Sequence, residues 1–350
     1  MPHGYARAGG ANRGGDGGEE GERGGWDAVS TATRVPETWE LTGDHARRTL
    51  MQTGRVNLVR NAFVRFRAAD GFSHARSLAF AIALVLVQGL VAIVGFAAAF
   101  GDLEVSRVIV DTIQNAVPGP AGQVLTDAVR QANEVGSRDR YLPLLLGLVG
   151  TVITATTALG QVERASNRIY GVERDRPSVP KYVRALGLAV TVGFLFAVAF
   201  VLLAFGRDIG QEHDNIRLVW LVLRWPIGLV IAAGALAALM HYAPRRHQPR
   251  VSWLAFGAAV GVLTWGGVTL CFAILFNLSS SFGETYGPLA GIVAFQLWTF
   301  FSSVAILFGV AIAAQLEAIR AGEPEPAEPD PEEDAEPIAG EPVAAQAQPS

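Results

Sequence analysis

Cysteine occurs once in this chain of 350 residues, at Cys271, which excludes both a disulfide framework and a thiolate metal site. Lysine is as scarce. Lys181 stands alone, so arginine carries almost all of the positive charge. No Walker A segment, GxSxG elbow or HExxH helix is present, and with them go the usual routes to phosphate cradling and hydrolysis. The histidines are scattered, His241 and His247 being the nearest cytoplasmic pair in the reading below, and no set of carboxylates and histidines has metal-ligand spacing. The expectation is a protein that is not an enzyme, with no catalytic residue, cofactor, metal or nucleic-acid partner. No apolar run of signal-peptide length precedes Leu78, so no cleaved leader is expected.

What the chain has in excess is long apolar sequence. Six stretches stand out: Leu78–Phe100, Tyr141–Gly160, Ala185–Gly206, Leu218–Met240, Trp253–Phe276 and Pro288–Ala314. Each has about 20 residues or more, enough at about 1.5 Å of rise per residue to cross a hydrocarbon core ~30 Å thick. They are apolar on all sides and show no alternation, so they read as spanning helices and not as barrel strands. Buried helices of a soluble protein are the competing reading, but so many would overfill a soluble core. The expected fold class is all-α: a polytopic membrane protein, a six-transmembrane-helix bundle with additional amphipathic interfacial helices. Cys271, inside the fifth stretch, reads as a small buried hydrophobe.

Arginine clusters in alternate gaps. Arg47, Arg48, Arg55, Arg60, Arg65, Arg67 and Arg76 precede the first stretch. Arg164, Arg168, Arg174, Arg176 and Lys181 follow the second, and Arg245, Arg246 and Arg250 follow the fourth. The other gaps are poorer in basic residues or balanced by acids, and the last holds only Glu284. The positive-inside rule then places both termini in the cytoplasm of a plasma (inner) membrane protein. Tyr182, Tyr242 and Trp253 would sit at the inner interface, Tyr141 and Tyr286 at the outer one.

Three regions follow from composition. Residues 1–45, Gly-rich and mixed in charge, and residues 321–350, rich in Pro, Glu and Ala, cannot bury enough apolar surface to offset chain entropy, so disordered cytoplasmic tails are expected there. The membrane domain is residues 46–320. At its start Val56, Val59, Phe63 and Phe66 have helical spacing with Arg60, Arg65 and Arg67 beside them. That pattern describes a helix on the leaflet surface, each basic residue gaining about 1 kcal/mol from anionic lipid head groups, or equally a simple orientation anchor. In the first external gap, Ile109, Ile113 and Ala116, then Val124, Leu125, Ala128, Val129, Ala132 and Val135, form two stripes about the breaker Val117–Pro120. A helical pair covering the bundle mouth is expected, as a static cap or a gate.

The bilayer is the certain partner, and polar residues within the stretches are the candidate working groups because each needs a partner or a water cavity there. Thr154, Thr157 and Gln161 form a stripe with Gly150, Gln296, Thr299 and Ser303 form another, and Gln88, Thr191 and Thr264 could face them. Hydrogen bonding between helices and a polar substrate groove are both open readings. Arg224, inside the fourth stretch beside Pro226, could snorkel to the interface, pair with Glu284, Asp208 or Asp214, or hold an anionic head group. Gly257-x-x-x-Gly261 and Gly287-x-x-x-Gly291 permit close helix contact, and Gly283–Pro288 reads as a tight external turn.

Several segments carry a resemblance. Glu284-Thr285-Tyr286-Gly287-Pro288-Leu289-Ala290-Gly291, then Leu297-Trp298, Leu307-Phe308-Gly309 and Gln315-Leu316-Glu317, resemble the ending of the YihY/virulence factor BrkB family, once labelled ribonuclease BN. Ala165-Ser166-Asn167-Arg168-Ile169-Tyr170-Gly171-Val172-Glu173-Arg174 resembles its "ALNRIYGVEE" loop, and Met240-His241-Tyr242-Ala243-Pro244 its "LYRFAP" segment. The first stretch departs, lacking the family's tyrosine pair and phenylalanine–proline step. The resemblance covers roughly residues 55–320 and implies six spans with cytoplasmic termini and a role in the cell envelope, and it brings no catalytic residues. Two functions follow as expectations: a transporter-like protein handling an anionic amphiphile or small solute, or a non-catalytic membrane scaffold.

Overall fold

The computed structural model describes residues 32–100, 104–139, 141–173, 175–205, 214–278 and 281–328. These form ten helices: α1 (Gly43–Gln52), α2 (Arg55–Ala68), α3 (Gly71–Phe100), α4 (Glu104–Ala116), α5 (Gly119–Arg138), α6 (Leu142–Ile169), α7 (Ser178–Phe205), α8 (Asp214–Tyr242), α9 (Val251–Leu278) and α10 (Ser281–Ala321). Local sequence sets the breaks. α2 gives way to α3 at Asp70, whose φ of 51° lies in the left-handed region that Asp tolerates. Pro118 ends the run after α4, Gly119 takes φ 50°, and a proline in the first turn opens α5.

The six apolar stretches fall on helices α3 and α6–α10, apart from Tyr141, which precedes α6, and Gly206, which lies outside the described residues. By length and composition, Gly71–Ala99, Leu142–Ile169, Val251–Leu278 and Leu289–Ala321 are each able to cross a membrane, and α8 adds a shorter apolar segment, Pro226–Tyr242. The helices stand in a ring, α3, α6, α7, α8, α9, α10 and back to α3, each packed on its two neighbours, with α10 also touching α6. Among the described residues, α7 and α8 make no more than marginal contact with α3 or α10. Large apolar side chains face outward, Leu145 on α6, Val190 on α7 and Leu263 on α9 among them. Outward faces of this kind need lipid as their solvent.

Close approach is built with glycine at two interfaces. A Cβ on Gly147 of α6 would fall inside the backbone of Val91 and Ala92, and one on Gly95 of α3 inside that of Pro143 and Leu144. The two helices therefore cross backbone to backbone, as small residues allow in lipid. On α9 and α10, Gly257 and Gly309 each leave no room for a Cβ against the other's carbonyl, which gives the GxxxG segment a packing role.

Two cores result. At the end where the chain segments around 32–45 and 322–328 meet, Leu58, Phe66, Ile169, Tyr170, Trp253, Leu254 and Ile312 belong to one buried cluster. At the other end α5 lies across α3, α9 and α10, and α4 reaches from α5 to α7. Ile109, Ile113, Leu125, Val129 and Ala132 of this hairpin bury themselves with Val94, Phe295 and Trp298, so the helical pair expected in the first external gap exists and covers that end of the ring.

The structure corrects several expectations. Residues 32–45 and 321–328 are not loose tails: Ala32 and Val35 are buried, Ala32 bridges Ala327, and Thr33 N–H donates to the Pro326 carbonyl. Polar composition hid this because the segments are held through backbone groups. The remaining tail residues, 1–31 and 329–350, lie outside the described residues. Trp253 is fully buried instead of interfacial, since α1 packs over the start of α9, and Cys271 is exposed on α9. Segment Gly283–Pro288 belongs to α10 and is not a turn.

Because α3 and α6 touch through backbone, Gly147→Leu should destabilise the fold by roughly 1–3 kcal/mol or more. Gly234→Leu, at a position with open space before it, should not. Thermal unfolding of the two variants in one detergent checks the contrast.

Candidate functional site

At the clasped end, polar side chains are drawn into the apolar core. Arg65 projects from the face of α2 that also carries Leu58, Ala62 and Phe66, and it is wholly buried. Its Nε donates to Gln315 Oε1 at 2.8 Å and its Nη1 to the carbonyls of Thr33 at 2.6 Å and Ile169 at 3.3 Å. Its Nη2 donates to the Glu325 carbonyl at 3.2 Å. Gln315 returns its own Nε2–H to Pro324. One guanidinium thus ties α2 to α10, to the end of α6 and to both terminal segments. Burial pushes Arg65 down to about 10, with Arg246 acting the same way and Tyr170 and Glu317 opposing, so it stays charged at neutral pH.

Beside it lies an ion pair removed from water. Arg246 donates from Nη1 and Nη2 to Glu317 at 3.0 and 2.8 Å, and neither side chain is more than 1% exposed. The fork geometry is the strong form of this contact. Glu317 also accepts the Thr38 hydroxyl at 2.6 Å and Thr38 N–H at 3.3 Å, while Arg246 donates to the Pro36 carbonyl. The guanidinium carbon sits 4.4 Å from the centre of the Tyr170 ring, a cation–π contact. Burial, and Glu317 after it, push the Tyr170 phenol up, so the hydroxyl is neutral. Gly171, at φ 68°, leaves no room for a side chain against Ala32 and Arg34, and Val35 N–H donates to the Tyr170 carbonyl.

A second network orders the loop after α6. Asn167, fully buried, donates to Asp175 at 2.8 Å and accepts Arg245 N–H at 2.7 Å. Burial alone would raise the Asp175 carboxyl, but the Asn167 amide and the charges of Lys181 and Arg164 outweigh it and hold it low. Arg176 donates to the Ala243 and Pro244 carbonyls at 2.7 Å each and lies 3.1 Å from Glu163. The resembling segments, over residues 165–173, 240–244 and 315–317, far apart in sequence, therefore meet here, and residues 32–42 close over them.

The candidates expected from the sequence lie elsewhere, and their hydroxyls largely bond within their own helices. Thr154 donates to Gly150, Thr157 to Ile153, Thr299 to Gln296 and Ser303 to Thr299, all through carbonyls. Thr299 and Ser303 are fully buried, Thr157 is exposed, and Gln161 and Gln296 are half-buried. Gln88 rests against Gly150. The side chains of Arg224 and Glu284 lie outside the described residues. At the hairpin end a cleft of about 570 Å³ is lined by Gln114, Gln123, Thr126, Asp127 and Arg130. Sequence reasoning passed over Arg65, Tyr170, Arg246 and Glu317 as site residues. The available signal was an arginine on an otherwise apolar helix face and a carboxylate among alanines in α10.

Apolar helices of membrane-spanning length around a buried polar clasp define an all-helical membrane protein. A family model described as virulence factor BrkB matches residues 62–335, and the chain belongs to that family. It is 24% identical over 268 residues to the putative ribonuclease-like protein YfkH of Bacillus subtilis, covering 75% of this chain and 95% of that one. It is 28% identical over 274 residues to a UPF0761 membrane protein of Azoarcus sp. and 26% identical over 271 residues to one of Xanthomonas axonopodis. The chain spans 62% of the length of each of these two relatives. No solved structure matches the chain.

Removing one partner of a buried pair strands the other charge, at a cost of about 3–5 kcal/mol, whereas replacing both by apolar groups can be neutral. Glu317→Leu should therefore lower thermal stability strongly, and Arg246→Met with Glu317→Leu should recover most of it. A double-mutant cycle by thermal unfolding measures the coupling.

Proposed function

We propose that the chain is a six-span, non-enzymatic membrane protein of the bacterial inner membrane with both termini in the cytoplasm. Its role is transporter-like: it moves or binds an anionic amphiphile or a small solute. The observation that carries this reading is the ring. Helices α7 and α8 on one side and α3 and α10 on the other make no more than marginal contact among the described residues, which suits a path between them. Its two ends are closed differently, by a charged clasp and by the α4–α5 hairpin with its polar cleft. Such an asymmetry suits a path that opens at one end at a time. Arg224, in α8 beside Pro226, is retained as the candidate for holding the anionic group.

Purified protein in liposomes should accelerate redistribution of a fluorescent anionic phospholipid or release of a trapped solute, and Arg224→Ala should abolish the effect. Folded protein that changes neither would refute the transport reading.

A second reading is favoured by one feature: the bridge between Ala32 and Ala327 sets the segments at 32 and 327 side by side, as suits a scaffold that offers two segments to one partner. Crosslinking that recovers a partner lost on truncation after Glu328 would favour it. The ribonuclease-like label of the Bacillus relative is not carried over. Purified protein supplied with divalent metal should leave RNA intact.

A further inference from the structure

The face of α2 opposite Arg65 carries an uncovered apolar strip. Val56, Val59 and Phe63 are 80%, 50% and 45% exposed, while Leu58, Ala62 and Phe66 of the other face are buried. The exposed strip does not end with the helix. Phe63 meets Phe72 at the start of α3 edge to face, ring centres 6.3 Å apart, and Phe72 is followed by the exposed Phe80 and Leu84 on the apolar length of α3. At spacings of four and eight residues, Phe72, Phe80 and Leu84 lie along one line of the α3 surface, with Arg76 between them. The apolar surface of α2 is thus continuous with that of a membrane-spanning helix.

Basic residues accompany this strip. Arg60 and Arg67 lie at three- and four-residue spacings from Phe63, hence on its side of α2. Arg60, Arg67 and Arg76 are exposed, and among the described residues none is paired with a carboxylate. Arg65, two positions from either neighbour in the pattern, points the other way and is engaged by the clasp. An apolar strip with unpaired guanidinium groups beside it, merging into a lipid-facing helix, has the chemistry of the boundary between head groups and acyl chains.

We propose that α2 lies in the head-group layer of the membrane that α3 crosses, with Val56, Val59 and Phe63 in the acyl boundary and Arg60, Arg67 and Arg76 holding the phosphates of anionic phospholipids. The inference rests on the membrane nature of the chain and not on transport, and its test has no transport readout. Continuity with α3 selects lipid over a soluble partner, and the positive charge selects anionic lipid over zwitterionic. Because Arg65 anchors α2 to the clasp, the lipid contact is rigidly joined to both terminal segments.

The full chain, with Cys271→Ser and single Val56→Cys, Phe63→Cys or Gln52→Cys substitutions, is spin-labelled and reconstituted in phosphatidylglycerol–phosphatidylcholine vesicles. Labels at 56 and 63 should be more accessible to oxygen than to a water-soluble nickel chelate, and the label at 52 the reverse. Equal chelate access at all three positions overturns the proposal, as does shielding from both reagents, which would mean that protein covers the face. Native mass spectrometry supplies the second arm. Arg60→Ser with Arg67→Ser and Arg76→Ser should retain phosphatidylglycerol at least tenfold less well than the parent chain, on the order of fivefold per arginine at most. Unchanged retention overturns the head-group assignment.

Discussion

A guanidinium taken out of water needs its N–H groups met by acceptors, and at Arg65 those acceptors come from distant parts of the chain. Carbonyls of Thr33, Ile169 and Glu325 and the amide of Gln315 converge on it. Ala32, Val35 and Ile169 of these segments are also buried by apolar packing, and the converging acceptors spare Arg65 the cost of an unsatisfied buried charge. The residue therefore acts as a fixed point: α2, the α6 terminus, α10 and both ends of the membrane domain are placed relative to it. Arg246 and Glu317 repeat the same logic one layer away, adding the loop after α8 and residues 36–38.

The rest of the molecule obeys a different solvent. Away from the clasp, helices touch where glycine allows backbone contact, as at Gly95 and Gly147, and elsewhere turn leucine, valine and phenylalanine outward. In water this arrangement would expose far more apolar surface than a soluble protein tolerates. In a bilayer, the apolar faces cost nothing and the close helix crossings supply the attraction. The clasp and the ring are thus complementary: one is held by satisfied polar groups in an apolar core, the other by packing in lipid.

Much of this was legible in the sequence, because apolar helices announce themselves by sustained apolarity: among the described residues four are long and apolar enough to cross a membrane, and α8 adds a shorter segment. The hairpin helices were legible from their amphipathic stripes on either side of Pro118 and Gly119. Arg65 was not. It sits beside Val64 and Phe66 on a helix whose exposed stripe is the more visible one, and the quieter face of Leu58, Ala62, Arg65 and Phe66 carried the buried contact. Glu317 among alanines implied a cation, but nothing in a single chain pairs it with Arg246. The hydroxyl stripes carry less information than their regular spacing suggests. Thr154, Thr157 and Ser303 satisfy themselves on carbonyls of the preceding turn, so regular spacing of Thr and Ser in an apolar helix is weak evidence for a groove. The terminal segments escaped notice because their contacts run through backbone groups, which composition does not reveal.

Arg65 joins the segments 32–38 and 323–328 over the clasp. The most direct measurement of this joint is disulfide formation between Ala32→Cys and Ala327→Cys in the full chain with Cys271→Ser, followed in the membrane under mild oxidation. Rapid, near-complete crosslinking is expected, since paired strand residues lie about 4.5–5.5 Å apart, with at least a tenfold slower reaction when Arg65→Ala is added. Absence of the crosslink in folded protein, or a rate indifferent to Arg65, would contradict it.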